Sequence, residues 1–414
     1  MTTAMQSQSN TEDIFLSWFK ASGGELDPRC LLTSIDGMGR GLLATEDIQK
    51  GETLFVIPRP LLLNLQTTAL HHAIQRTDDK QAVKRWSELQ DQGWAPLILA
   101  MMWEDYRASV ISATEDEGEE QSWGPYFMIM PDVFSTPMFW SDADLEHLKG
   151  TSIENKLGRE EAEAVYGSVA SFVESLPEVF GVGAEMGKWF SLERYHIMAS
   201  RILSRSFHVE KQSTSEEKSV KGIGDNNDSN ELHRGQKHEQ DEDDSDAEQE
   251  ERENVGDISM VPMADMLNAQ SGNDNARLSY KPKVLEMRAT RDILAGRQIF
   301  NTYANPPNSD LLRRYGHVDE PNDNDIVEID AGLICADIER LQWACETVGI
   351  DEVFSLALPY EVDNEMIVLA KVTAMTKEEF GKAVKQETCP SPSLTVDACQ
   401  LIIDAVTKLS LIHI

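Results

Sequence analysis

Two stretches far apart in the chain follow one pattern. Asp47-Ile48-Gln49-Lys50-Gly51-Glu52-Thr53-Leu54-Phe55 and Asp292-Ile293-Leu294-Ala295-Gly296-Arg297-Gln298-Ile299-Phe300 both read D-I-x-x-G-x-x-hydrophobic-F. Each is a turn carrying glycine that feeds a β-rich strand. A fold that uses this element at both ends brings the two copies together, as a sheet assembled from distant segments.

Between the copies the character is helical. Ile14–Lys20 reads as the end of a short helix, stopped by Gly23-Gly24, with Ile14, Phe15, Trp18 and Phe19 on one face. Gln66–Gln90, Leu97–Ala108 and Asp142–Leu176 have helical composition and period, so Gln66 to about Glu185 is expected as a helical insertion. Within it, Ser122–Phe127 is expected as a rigid loop. A further helix is expected from about Leu192 to Phe207. Leu192, Tyr195, Ala199 and Ile202 share one face of it, and Arg201 and Arg205 pair on another.

Residues 210–254 hold 16 acidic and 6 basic residues, a net of −10, with no aromatics. Such a stretch cannot bury enough apolar surface to order itself and is expected as a disordered acidic insertion. It reads first as a solvating loop, with recruitment of basic substrates as the alternative. Beyond it, Asp319–Asp325 signals a linker. Ile326–Ile329 then reads as a strand, followed by helices near 336–346, 376–385 and 396–408. The chain stops on an apolar run, Leu411–Ile414, so the last domain is expected to be incomplete.

At 414 residues the chain is long enough for two or three domains. Its formal charge of −35 disfavours nucleic acid as a partner, because phosphates would be repelled, and suits a basic protein. The five cysteines are widely spaced with no CxxC pair, which points away from a disulfide framework or structural zinc and towards a reducing compartment. No signal peptide is expected, and the longest apolar stretch, Pro96–Trp103, is too short to span a membrane.

No phosphate loop, HExxH or GxSxG motif is present. Two shorter stretches stand out. Asp36-Gly37-Met38-Gly39-Arg40-Gly41 alternates three glycines, which reads equally as a hairpin turn or as a place where a ligand approaches the backbone. Met260–Asn268 and Ile299–Tyr303, with Tyr315 beyond, set asparagines and tyrosines in apolar surroundings, where each phenol and amide needs a partner. Taken one by one, they also fit satisfied polar groups in a β-core.

In order along the chain, Gly39–Ala44 with Lys50-Gly51-Glu52, Ser204-Arg205-Ser206-Phe207, Pro262–Asn268, Asn301-Thr302-Tyr303 and Leu311–Gly316 resemble the SET-domain lysine methyltransferases. The nearest branch is the one with a long insertion in SET and a helical C-terminal domain, as in the Rubisco large-subunit methyltransferase. Within it the chain is most similar to the fungal ribosomal-protein lysine methyltransferases and their animal relatives.

This resemblance implies an α+β fold: small curled β-sheets with a pseudoknot where 260–268 and 301–315 thread together. The SET domain would be 1–65 and 186–318, the helical insertion 66–185, and the helical substrate-binding domain 319–414. It implies S-adenosyl-L-methionine as cofactor, contacted by Met38, Gly39, Arg40, Arg205, Asn268, Ala269, Tyr303 and Tyr315. Arg205 and Asp265 would border the substrate, and Tyr303 with Tyr315 would frame the transfer channel as the catalytic pair. Many relatives carry histidine where this chain has Ala269, a position that serves the adenine largely through its backbone. No metal is implied. A basic substrate, a ribosomal protein first, is expected, with a monomeric enzyme in the nucleus or cytoplasm. The alternative is a SET-fold module that has lost catalysis and binds basic tails.

Overall fold

The structure, a computed structural model, describes residues 2–114, 122–209, 258–303, 306–357, 359 and 361–412. The acidic insertion expected at 210–254 lies outside them. The chain forms two compact units, Met1–Phe134 with Glu160–Asn305, and Ser135–Arg159 with Pro306–Ile414. These divisions differ from a boundary at 319 and an unbroken insertion over 66–185. The expected linker is folded onto the residues before it: the Asn308 amide N–H donates to Asp325 Oδ1 at 2.9 Å, and Asn322 Nδ2 to the Pro306 carbonyl at 3.0 Å. Ser135–Arg159 joins the same unit, with Lys156 Nζ 3.0 Å from Glu328 Oε1.

In the first unit a helix over Thr2–Ala21, longer than expected, buries Phe15 and Phe19. Among the described residues nine strands follow: β1 Glu25–Leu26, β2 Cys30–Ile35, β3 Gly39–Ala44, β4 Thr53–Pro58, β5 Ser206–His208, β6 Ile258–Met260, β7 Ala276–Tyr280, β8 Val284–Ala289 and β9 Gln298–Ile299. They form three small antiparallel sheets, ordered β1-β4-β8-β7, β2-β3-β9 and β5-β6. Each mixes strands from both ends of the unit's sequence or from either side of the acidic insertion. The two copies of the repeated pattern do meet. Ile48 and Ile293 exchange backbone hydrogen bonds of 2.9 and 2.8 Å.

The helix Ala95–Thr114 buries Leu97 through Trp103 without a break, which suits a helix that is apolar all round. The helix Leu192–Arg205 buries Tyr195 and Ile202 on the expected face. Arg201, expected with Arg205 on another face of the helix, is fully buried. The protein surrounds it with acceptors: the Pro131 carbonyl at 3.0 Å and Asp132 Oδ1 at 2.7 Å, with the Phe127 ring 5.9 Å from the guanidinium. Burial lowers its pKa to about 10, against the pull of Asp132, so it stays charged near neutral pH.

The second unit pairs β10 Ile326–Asp330 with β11 Val353–Ala357. Its core is made with the helices Asn364–Ala374, Lys377–Gln386 and Val396–Ile412. The second and third of these match the helices expected near 376–385 and 396–408, whereas β11 and Asn364–Ala374 were not expected. Among the described residues no helix is long and apolar enough to cross a membrane.

Candidate active site

The glycine stretch is a hairpin. β2 and β3 pair from Cys30↔Ala44 to Ile35↔Gly39, and Asp36-Gly37-Met38 closes the end. Gly41 is required by what lies across from it. A Cβ there would fall 2.7 Å from Ile35 Cδ1, 2.8 Å from Asn268 Nδ2 and 2.9 Å from Gln298 Nε2. Both of those amide nitrogens are buried without a hydrogen-bond partner in the protein. An unmet buried donor costs about 1–3 kcal/mol, so two of them at one backbone notch point to a polar ligand that accepts from them. The Arg40 side chain lies elsewhere: its Nη1 donates to the Ile129 carbonyl and its Nε lies 3.4 Å from Glu12 Oε1. Arg40 thus anchors the hairpin with its side chain.

Asn268 also starts the crossing. Its carbonyl accepts from the Asn301 N–H at 3.0 Å, and Ala269 pairs with Asn301 in a parallel bridge. Just upstream, Ala264–Met266 makes one turn of 3-10 helix, entered through Met263 at φ +79°. A non-glycine residue in that region is strained, and only a well-packed surround holds it. The turn presents Asp265, which is 6% exposed. Tyr303 reaches the same segment, its hydroxyl 3.3 Å from the Leu267 carbonyl. Arg205, the last residue of its helix, donates from Nη1 to the Asp265 carbonyl.

A hydroxyl from the insertion completes the group. Tyr126 Oη donates to Asp265 Oδ2 at 2.7 Å, and Oδ1 is left without a hydrogen-bond partner. Burial pushes the Asp265 carboxyl up to about 6, against the charge of Arg205 and the bond from Tyr126. Burial likewise raises the Tyr303 phenol, with Arg205 opposing it and Asp265 adding to it. Tyr303 is therefore a neutral hydrogen-bonding phenol near pH 7 and not a base.

The structure thus brings Arg205, Asp265, Asn268, Ala269 and Tyr303 together in the first unit, and Asn268 joins them to the Gly39–Gly41 hairpin. Met38 lies at the hairpin tip, over a third exposed. Tyr315 belongs to the second unit, where it ends a single π turn, Leu311–Tyr315, with its ring 6.1 Å from His317. Two residues were missed. Tyr126 sits not in a rigid loop but in a short helix, Gly124–Ile129, with Pro125 in its first turn, where a missing N–H is harmless. Gln298 looked like a plain strand residue. For Tyr126 the sequence signal is a phenol among apolar neighbours; Gln298, next to Arg297, carries none. Among the described residues no group of three His, Cys, Asp or Glu side chains is placed to hold a metal ion.

The sequence matches the SET domain family over residues 39–304. It is 30% identical over 326 residues to ribosomal lysine N-methyltransferase 4 of Saccharomyces cerevisiae, covering 76% of this chain and 57% of that protein. The chain thus spans little more than half of the yeast relative. It is 28% identical over 397 residues to the N-lysine methyltransferase setd6 of Xenopus laevis, covering 89% of this chain and 74% of that one. In fold it resembles the SET domain of LSMT bound to lysine and AdoHcy, with a TM-score of 0.51 and 16% identity over 98% of this chain and 90% of that chain. The matched stretch runs from the hairpin through the crossing to Tyr303, and on that ground the chain belongs to the SET-domain family.

Proposed function

We propose that the chain is an S-adenosylmethionine-dependent protein-lysine N-methyltransferase. One observation carries this reading. The unmet amides of Asn268 and Gln298 over the Gly41 notch are joined, through the Asn268–Asn301 crossing, to the buried Asp265 and the half-buried Tyr303 and Arg205. A notch with two unmet donors and a polar group around a buried carboxylate beside one crossing suit a transfer reaction that must exclude water. The names of the yeast and Xenopus relatives support the same activity.

Met38, Gly39, Arg40, Arg205, Asn268 and Ala269 would hold the cofactor, with Gly41 leaving it room. When bound, S-adenosylmethionine supplies an electrophilic methyl group on a sulfonium. The rest falls to the chain. A substrate lysine has a pKa of about 10.4 and must give up a proton before its nitrogen can attack. Burial and a nearby positive charge both favour that loss, so no strong base is required. Asp265 Oδ1 receives the lysine while it is an ammonium. The neutral Tyr303 hydroxyl then orients the amine lone pair, and Tyr315 is its proposed partner. Positioning of this kind is worth roughly 7–11 kcal/mol in well-oriented reactions.

The substrate proposed is a basic protein, a large-subunit ribosomal protein first, met by a monomeric enzyme in the nucleus or cytoplasm. The formal charge of −35 and the yeast relative's name support the choice. The test is transfer of labelled methyl into a ribosomal-protein extract, with mass spectrometry of the labelled lysine. Label in one basic protein, lost with Tyr303→Phe, supports the reading. Absence of label despite measured cofactor binding removes the ribosomal substrate, and absence of cofactor binding removes the enzyme.

A further inference from the structure

Tyr126 lies outside the motifs on which the sequence resembles the family, yet its hydroxyl grips the site's buried carboxylate. We infer that Tyr126 is a positioning residue for methyl transfer: it ties down Asp265 Oδ2 so that Oδ1 is the oxygen left to receive the substrate's ammonium. This rests on the methyltransferase reading above.

The geometry leaves Tyr126 little freedom. It is fully buried, and its ring is stacked on Trp18 with centroids 6.1 Å apart and planes 3° apart. Phe15, Trp123 and Phe127 surround it at 6.3 to 6.4 Å. The hydroxyl therefore reaches the carboxylate from a wall that cannot turn, across 139 residues of sequence. The same short helix supplies the Ile129 carbonyl that accepts from Arg40. One element of the insertion thus touches both the glycine hairpin and the carboxylate.

Chemistry explains the need for such a grip. A buried carboxylate without a donor takes up a proton and loses its attraction for a cation. The charged or titratable groups that act on Asp265 or on its partner Tyr126 are Arg205 and Arg201 from the helix Leu192–Arg205, and Tyr303 beyond the crossing. Arg205 bonds the backbone carbonyl of Asp265, whereas Tyr126 bonds its carboxylate. Without Tyr126 the carboxylate keeps only its backbone donors, Met263 and Asp265, and is neutral over a wider pH range.

The experiment compares Tyr126→Phe, Asp265→Asn and the double variant in the full chain. Tyr126→Phe should raise KM for the basic protein about tenfold and change kcat by less than about threefold, the pattern of lost binding to the charged substrate. The acid limb of kcat/KM should move to higher pH. S-adenosylhomocysteine affinity should stay within about twofold, and the double variant should be no worse than Asp265→Asn, because the two residues act as one unit. Carbon-13 titration of labelled aspartate should show the Asp265 carboxyl shifted up by Tyr126→Phe, and this readout needs no activity. If the wild type transfers no methyl group, the methyltransferase reading fails while the titration still decides whether Tyr126 controls Asp265. An unmoved titration and acid limb in Tyr126→Phe overturn the proposal. If Tyr126→Phe does not fold, Asp265→Asn decides: a wild-type KM and pH profile in that variant overturn it equally.

Discussion

The segments Asp47–Phe55 and Asp292–Phe300 share a pattern and lie side by side, yet they finish differently. Their turns are matched almost atom for atom. Asp47 Oδ1 accepts from the Ala295 N–H and Asp292 Oδ1 from the Lys50 N–H, both at 2.8 Å. Gly51 and Gly296 occupy the same left-handed region, at φ +88° and +79°. After the first turn the chain continues Val56-Ile57-Pro58 as β4, flanked by β1 and β8. After the second it pairs with β3 for two residues and then leaves for Asn301 and Tyr303.

The difference lies in what stands alongside. Next to the second copy, the Asn275 side chain takes the place of a strand. Its Oδ1 accepts from the Phe300 N–H at 2.8 Å, and its Nδ2 donates to the Gln298 carbonyl at 2.9 Å. That amide, together with the Asn275 and Ala276 N–H groups that donate to the Phe300 carbonyl at 3.1 and 3.0 Å, satisfies the backbone there, so the chain can peel away. One local turn thus starts a scaffold strand in one place and the active site in another.

The largest effect expected from this contrast is on chemistry. Tyr303→Phe should lower kcat by roughly 10²–10³-fold, the usual cost of removing one preorganised hydrogen-bonding group, while S-adenosylhomocysteine still raises the melting temperature. Ile57→Val, just past the first copy, should leave kcat alone and cost about 0.5–1.5 kcal/mol of stability. A kcat loss in the second variant matching the first would erase the distinction between scaffold and site.

Asn275→Ala should come next, at about 2–4 kcal/mol in urea unfolding, because it strands two buried backbone groups. Methyl transfer should fall with it, since the path to Asn301 and Tyr303 is no longer held. Full activity at reduced stability would show that the amide supports the sheet but not the site.

Asp265 gives a smaller effect of opposite sign. Its carboxyl is pushed up to about 6 from an ordinary value of 3.8, so the folded state binds its proton more tightly than the unfolded chain. The stability this contributes is complete below about pH 3.8 and is lost as pH rises through about 6. Asp265→Asn should therefore flatten the fall in stability between those values and gain about 1–3 kcal/mol at pH 8, while raising KM. Urea midpoints measured from pH 4 to 8 would check this, and an unchanged pH slope would count against a buried, protonatable Asp265.

The smallest effect tests the likeness of the two turns. Asp47→Ala and Asp292→Ala each remove one bond to a backbone N–H and should each cost about 1 kcal/mol. Unequal losses, by more than about 1 kcal/mol in thermal unfolding, would mean that the matched geometry hides unmatched energetics.

Much of this was legible in advance where the signal is local. The helix Leu192–Arg205 showed its apolar stripe, and Gly23-Gly24 marked the end of the first helix. The helix Asn364–Ala374 was not legible, because Met366-Ile367-Val368-Leu369 is an unbroken apolar run that fits a buried helix or a strand equally. The burial of Arg201 was not legible either: the acceptors at Pro131 and Asp132, near in space and far in sequence, make it tolerable.

By itself the amino-acid sequence determined the repeated turns, the glycine hairpin and the order of the motifs that mark the family. These follow from dihedral preferences and from hydrophobic spacing along a few neighbouring residues. The tertiary structure alone decided that Tyr126 holds Asp265, that Asn268 and Gln298 turn unmet amides to Gly41, and that Asn275 ends a sheet. Hydrogen-bond satisfaction and burial depend on which distant segments come into contact, and no local stretch of chain encodes that.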